Sequence, residues 1–230
     1  MTMPRRGKVA RPKLVGVIAS DADLQIALRM GQPPDLFEIR LDSFWPISHL
    51  LEQKLCRLRA PLIITARDPR EGGMGSLSRS NRLDLLGRFL SRAKYVDVEL
   101  ALAEPFEGLL ANAKKRGVAR ILSYHNFKTT PPAHALAAKA SMAKALGADI
   151  FKVATRTDTP AALTRLVNLI MKCDVDLRIS AMGIGKLGAI SRLLLARCGS
   201  VLNYAAITNP NVEGQPSLEL LRSALTHEQI

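Results

Sequence analysis

Eight short apolar runs, each followed by a stretch with helical spacing, divide this chain almost from end to end. The runs are LVGVIA (14–19), LFEIRL (36–41), LIITAR (62–67), YVDVEL (95–100), ARILSYH (119–125), DIFKVAT (149–155), LRISAMGI (177–184) and VLNYAAI (201–207). They are rich in Val, Ile and Leu, as strands covered on both faces must be. The segments between them, roughly 22–31, 46–59, 79–92, 104–116, 133–147, 159–172, 187–199 and 217–226, carry helix formers at helical spacing. Asp158-Thr159-Pro160 opens one helix, and Pro105 and Pro132 mark the starts of two others, where a missing N–H costs little. Gly117 and Gly147 follow two helices as stops. Eight consecutive units predict an α/β chain folded as one (β/α)8 barrel, the TIM-barrel architecture, spanning 1–230 as a single domain. A doubly wound open sheet is the alternative, but its Gly-x-Gly-x-x-Gly after the first strand is missing and Gly16 stands alone there. The chain is short for a barrel, so its loops should be short. The longest stretch without an element, 68–78, is glycine-rich and is expected to be a mobile lid from Gly72 to Ser78.

Composition narrows the class. Hydrophobic residues make up 47% of the 230, enough for a sizeable core, yet only 4% are aromatic, so that core must be aliphatic. Three scattered cysteines, none in a Cys-x-x-Cys pair, argue against a disulfide framework or a zinc site and fit a reducing compartment. The basic start (1–12) is followed by no long apolar run, and LVGVIA is too short to cross a membrane or to form a signal-peptide core. The expectation is a cytoplasmic protein with a frayed basic N-terminus and no membrane partner. The net charge is +13. A basic surface can steer anions, nucleic acid included. Here the Lys and Arg residues are spread along the chain without the interleaved aromatics of a base-stacking platform, so no nucleic-acid partner is expected.

Charged residues interrupt four of the apolar runs. Along a strand alternate side chains share a face, so Glu38, Arg40 and Asp42 point one way, and Asp97 with Glu99, and Ser123 with His125, likewise. Burying such groups costs several kcal/mol each unless they pair. Charges on four strands at once describe a polar interior that is a site, expected at the C-terminal ends of barrel strands. Lys152 lies between Phe151 and Val153. Desolvation there would lower its pKa and free a nucleophilic amine able to attack a ketone. A structural ion pair with Glu38 or Glu99 fits the strand alone equally well. His125 suits acid/base work near neutrality, although a buried structural histidine is the commoner case. Arg40 and Arg67 end strands, and Arg192 follows Gly185-Lys186-Leu187-Gly188, whose backbone N–H groups at a helix start could also hold an anion. Carboxylate and phosphate fit these arginines equally.

Taken together these segments resemble the type I 3-dehydroquinate dehydratases, the Schiff-base enzymes of the shikimate pathway. The matching stretches are Glu38-Ile39-Arg40-Leu41-Asp42, Thr65-Ala66-Arg67 with Glu71-Gly72-Gly73, Asp97-Val98-Glu99, Ser123-Tyr124-His125-Asn126-Phe127 with Thr130-Pro131, Phe151-Lys152-Val153-Ala154, Gly185-Lys186-Leu187-Gly188 with Ser191-Arg192, and Gly214-Gln215. The resemblance implies a hydro-lyase that converts 3-dehydroquinate to 3-dehydroshikimate in a barrel, often dimeric, without metal or cofactor. It implies that Lys152 forms the imine, His125 moves the protons and Glu71 orients His125. Glu38, Arg40 and Arg67 would meet the ring hydroxyls, and Arg192 and Gln215 the carboxylate. The chain departs from the family at three places: Asn211-Val212-Glu213 stands for the usual Ser-Ala-Pro, Ile184 for Met, and Val17 for Ser. Two other readings compete: a class I aldolase acting on a phosphorylated sugar, and a non-catalytic basic scaffold.

Overall fold

The structure, a computed structural model, describes residues 11–226. Every apolar run becomes a strand: β1 (Lys13–Ile18), β2 (Leu36–Arg40), β3 (Leu62–Thr65), β4 (Ala93–Glu99), β5 (Ala119–Asn126), β6 (Ile150–Arg156), β7 (Arg178–Ile184) and β8 (Leu202–Ala206). Each is followed by its helix: α1 (Asp21–Arg29), α2 (Ser48–Leu55), α3 (Arg79–Phe89), α4 (Glu107–Lys115), α5 (Ala133–Ala145), α6 (Pro160–Lys172), α7 (Gly188–Cys198) and α8 (Leu218–Thr226). The eight strands form one parallel sheet in the order β7-β6-β5-β4-β3-β2-β1-β8, so the last strand pairs with the first and the sheet curls into a barrel. The β7–β8 seam is the weakest join. One backbone bond, Val201 N–H to Ile179 O at 3.0 Å, and the hydroxyls of Ser180 and Ser200 span it where a ladder would stand.

Strand alternation sorts the core into two layers. Phe37, Ile39, Val96, Val98, Phe151 and Val153 face outward and pack under the helices. Their neighbours face the barrel axis: Val15, Leu36, Ile63, Ile121, Ile150 and Leu202 fill its lower part. Above that plug the inward positions are the charged ones, which places them at the C-terminal mouth. Local signals hold where their chemistry is present. Thr159 caps α6 by accepting from the Ala162 N–H, with Pro160 in the first turn. Gly117 and Gly147 leave α4 and α5 in the left-handed region. Pro105, expected at a helix start, precedes α4 by two residues, because a short 3-10 turn, Leu100–Leu102, comes first.

Three further expectations are refined. The loop after β3 is not free of structure: Asp68 caps a 3-10 turn, Pro69–Glu71. The Met74 N–H donates to Asp42 at 2.9 Å, and Arg40 donates to the Gly72 carbonyl at 3.0 Å. Of the basic N-terminus, residues 1–10 lie outside the described residues. Arg11 is fastened to Asp35 at 2.7 Å and Pro12 is buried, so residues 11 and 12, expected to be frayed, are held. No helix among the described residues is long and apolar enough to cross a membrane.

Candidate active site

All eight residues singled out from the sequence line one cavity of about 580 Å³, mouth included, at the C-terminal end of the barrel. Glu38 and Arg40 come from β2, Arg67 and Glu71 from the stretch after β3, and His125 and Lys152 from β5 and β6. Arg192 comes from α7 and Gln215 from the segment before α8. Val17, Met182, Ile184 and Tyr204 supply the apolar wall.

Lys152 stands on the inward face of β6, 4% exposed, and its Nζ reaches Asp97 at 2.9 Å and Glu38 at 3.3 Å. It also lies 4.1 Å above the ring centre of Tyr204. The two readings of this lysine are therefore not exclusive: it is ion-paired and it faces the cavity. Its second partner is Asp97, not Glu99, because Glu99 is already held by Arg67 at 3.2 Å and by the buried Arg82 of α3. Arg67 joins the two groups by also pairing with Asp97 at 3.0 Å, while Ser123 accepts from Arg67 and donates to Asp97. Thr65 donates to Glu38 at 2.8 Å. A continuous buried chain thus runs Arg82–Glu99–Arg67–Asp97–Lys152–Glu38. Burial alone would raise the Asp97 carboxyl, but Arg67 and Lys152 outweigh it and hold Asp97 well below the usual carboxylate range. Isolated, any of these charges would be costly; paired in series, each has a partner.

His125 stands next to the last residue of β5 with its Nδ1 2.9 Å from Glu71 Oε2, the same oxygen that accepts the His125 backbone N–H at 3.0 Å. One carboxylate oxygen thereby fixes both backbone and ring. Burial, reinforced by the charges of Arg67 and Lys152, pushes the imidazole well below its ordinary value. Burial also pushes the Glu71 carboxyl up to about 7, against the pull of Arg67. With Glu71 ionised, Nδ1 carries the proton and Nε2 is left as a free base. Gly72, next to Glu71, sits in the left-handed region, and a β-carbon there would run into the Phe127 ring.

Arg192 is the electrostatic exception. It is 2% exposed, has no carboxylate partner among the described residues, and bonds only the Gly183, Gly188 and Gly214 carbonyls, with Nε unpaired. Burial alone lowers it to about 10. A buried guanidinium without a counter-charge favours an anion beside it. Gln215 lies on the same wall and accepts the Asn211 N–H at 2.8 Å. The expected anion-binding amides at the start of α7 are not available: those of Gly185, Lys186, Leu187 and Gly188 are bonded to Glu213 O, Asp158, Thr157 O and Gly185 O. Arg40 forms a two-point bond to Asp42, which Arg40 pulls below its ordinary value although burial works the other way. Among the described residues, no three His, Cys, Asp or Glu side chains converge to hold a metal ion.

Two parts of the site escape sequence reasoning. Tyr204 reads as one more apolar strand residue in VLNYAAI; only the closing of β8 onto β1 brings it under Lys152. Arg82, in the polar stretch RSNRLDLLGRF, gives no sign of burial. Asp97 was visible as an inward charge, but its pairing with Lys152 needs the barrel.

Comparison with known proteins agrees with this geometry. The model of the type I 3-dehydroquinase family matches residues 15–230. A 3-dehydroquinate dehydratase of Pyrococcus abyssi is 35% identical over 83% of this chain and 86% of its own length. Another, of Shouchella clausii, is 32% identical over 96% and 91%. A crystal structure of the 3-dehydroquinate dehydratase of Geobacillus kaustophilus superposes with a TM-score of 0.85 at 26% identity, covering 95% of this chain and 93% of that one. The type I enzyme of Clostridium difficile, solved with covalently modified comenic acid, gives 0.84 at 27% identity over 94% and 92%. With the family model matched from the first strand to the last residue, and with its lysine, histidine and arginines gathered at one barrel mouth, this chain belongs to the type I 3-dehydroquinase family.

Proposed function

We infer that the chain dehydrates 3-dehydroquinate to 3-dehydroshikimate through a covalent imine on Lys152. The observation that carries this reading is the convergence of three unlike groups in one cavity: a buried lysine, a neutral histidine held by a carboxylate, and a buried arginine without a counter-charge. Arg192, helped by Gln215, takes the substrate's carboxylate at one end. Lys152 takes its ketone at the other. The amine adds to the carbonyl carbon and water leaves, giving the protonated imine. His125 Nε2 then removes a proton from the adjacent carbon, and the electron pair moves into the enamine. Collapse of the enamine expels the hydroxyl beside the carboxylate, protonated by the same imidazole. Water then releases the conjugated ketone and restores Lys152. In this reading Glu38 and Arg40, which line the same cavity, take the ring hydroxyls. Arg67, with its guanidinium shared between Asp97 and Glu99, contributes as much by fixing those carboxylates as by touching the ring.

The imine is itself the electron sink, so the reaction asks for no metal or cofactor. We propose, as for the family, a homodimer acting in the cytoplasm on this one small acid. A phosphorylated-sugar aldolase is the weaker reading, since the Glu38-x-Arg40-x-Asp42 strand and the Glu71–His125 pair at the cavity belong to the dehydratase pattern. Borohydride reduction in the presence of 3-dehydroquinate tests the proposal. The expected result is a mass increase on the peptide holding Lys152, with conjugated-enone absorbance appearing before reduction. No adduct and no absorbance would reject it.

A further inference from the structure

The segment Asn211–Gln215, which brings Asn211, Val212 and Gln215 to the cavity wall, carries one residue that turns away from it. Glu213 is half exposed, and its Oε2 lies 2.8 Å from Arg156 Nη1 at the end of β6. Arg156 is braced in turn by Asp158, whose other oxygen accepts the Lys186 N–H at 2.8 Å. Below this pair the Gly185 N–H donates to the Glu213 carbonyl at 2.9 Å, and Arg192 donates to the Gly214 carbonyl at 3.2 Å. The backbones of Gly214 and Gly188 meet so closely that a β-carbon on Gly214 would come within 2.9 Å of the Gly188 α-carbon. The loop is therefore held by charge at Glu213 and by backbone contact at Glu213 and Gly214, within two residues of Gln215.

We propose that Arg156 and Glu213 are positioning residues, a clasp that keeps the β8–α8 loop where Gln215 and Asn211 can meet the substrate's carboxylate. The inference rests on the carboxylate assignment to Arg192 and Gln215. It departs from the simplest expectation for an acidic residue beside an anion site, which is that Glu213 repels the substrate. The two ideas predict opposite signs. If Glu213 repels, neutralising it tightens binding. If it clasps, neutralising it frees the loop and weakens binding, because an open loop must be ordered again each time substrate arrives.

Initial rates with 3-dehydroquinate on the full chain decide between them. Glu213→Gln and Arg156→Gln should each raise KM about two- to fivefold, the range open to a pair of this exposure, with a smaller change in kcat. The double variant should be no worse than the poorer single one, since both substitutions remove the same pair. A lowered KM in Glu213→Gln, additive losses in the double variant, or three unchanged KM values would each overturn the clasp. A wild-type chain that fails to turn over 3-dehydroquinate would instead remove the substrate assignment, and the clasp with it.

Discussion

The pair Glu71 and His125 ties activity to pH in a direction that can be worked out. Only ionised Glu71 holds the Nδ1 tautomer that leaves Nε2 free, so kcat/KM should rise as pH passes through about 7. Removing His125 as Ala should lower kcat by about 10²–10⁴-fold while borohydride still traps the imine at Lys152. Stability runs the other way. Glu71 is raised in the folded chain, so its contribution is complete below its ordinary value of 4.5 and is lost as pH rises through about 7. Glu71→Gln should therefore flatten the pH profile, reduce kcat, and at pH 8 melt above the wild type, a gain on the order of 1–3 kcal/mol. Thermal melts of both proteins at pH 5 and pH 8 check it; an equal difference at the two pH values would contradict it. Lys152 was legible before the fold because it breaks an apolar run between Phe151 and Val153, whereas Glu71, in the polar stretch DPREGGMGSLS, was reached only through the family resemblance. Arg82 and Tyr204 were not legible, because a polar helix and an apolar strand are the ordinary places for such residues.

Helix α3 contributes more than cover. Its Arg82 enters the core to pair with Asp68 at 2.8 Å and with Glu99, and also bonds the Ala66 carbonyl. Arg82→Leu would leave Glu99 and Asp68 short of a cation, and denaturant melts should show a loss of about 3–5 kcal/mol. A loss under 1 kcal/mol would mean that Arg67 alone suffices. The loop before α3 is pinned as far as Met74 and then passes through exposed residues 75 and 76. Protease cutting is expected within 75–78 and should slow when substrate is bound; equal rates would count against its service as a lid. Strands and helices emerged within a few residues of their expected ends, because valine-rich alternation and helix caps act locally. The 3-10 turns did not, since Leu41–Ile47 and Pro69–Glu71 are shaped by what the strand ends must reach.

The charge of +13 belongs to the molecule rather than to any motif. With Arg40, Arg67 and Arg192 in the cavity and the excess spread outside, an anionic substrate approaches through a favourable field. Raising the salt concentration from about 0.01 to 0.15 M shortens the reach of that field from roughly 30 to 8 Å. kcat/KM should accordingly fall with salt more steeply than kcat, and a flat response would show that encounter is not steered. The barrel could be counted from the chain because eight units allow few other closures. How it closes could not be read there, for no local pattern announces that β8 meets β1 by ladder and β7 mainly by Ser180 and Ser200. That seam has a consequence for connectivity. A circularly permuted chain beginning near residue 200, with the old ends joined, would run β8–β1–β2 through to β7, every ladder then linking neighbours in sequence. Its new ends would fall at the join least dependent on backbone bonding, while the native order must bring together strands almost 190 residues apart, Lys13 beside Leu202.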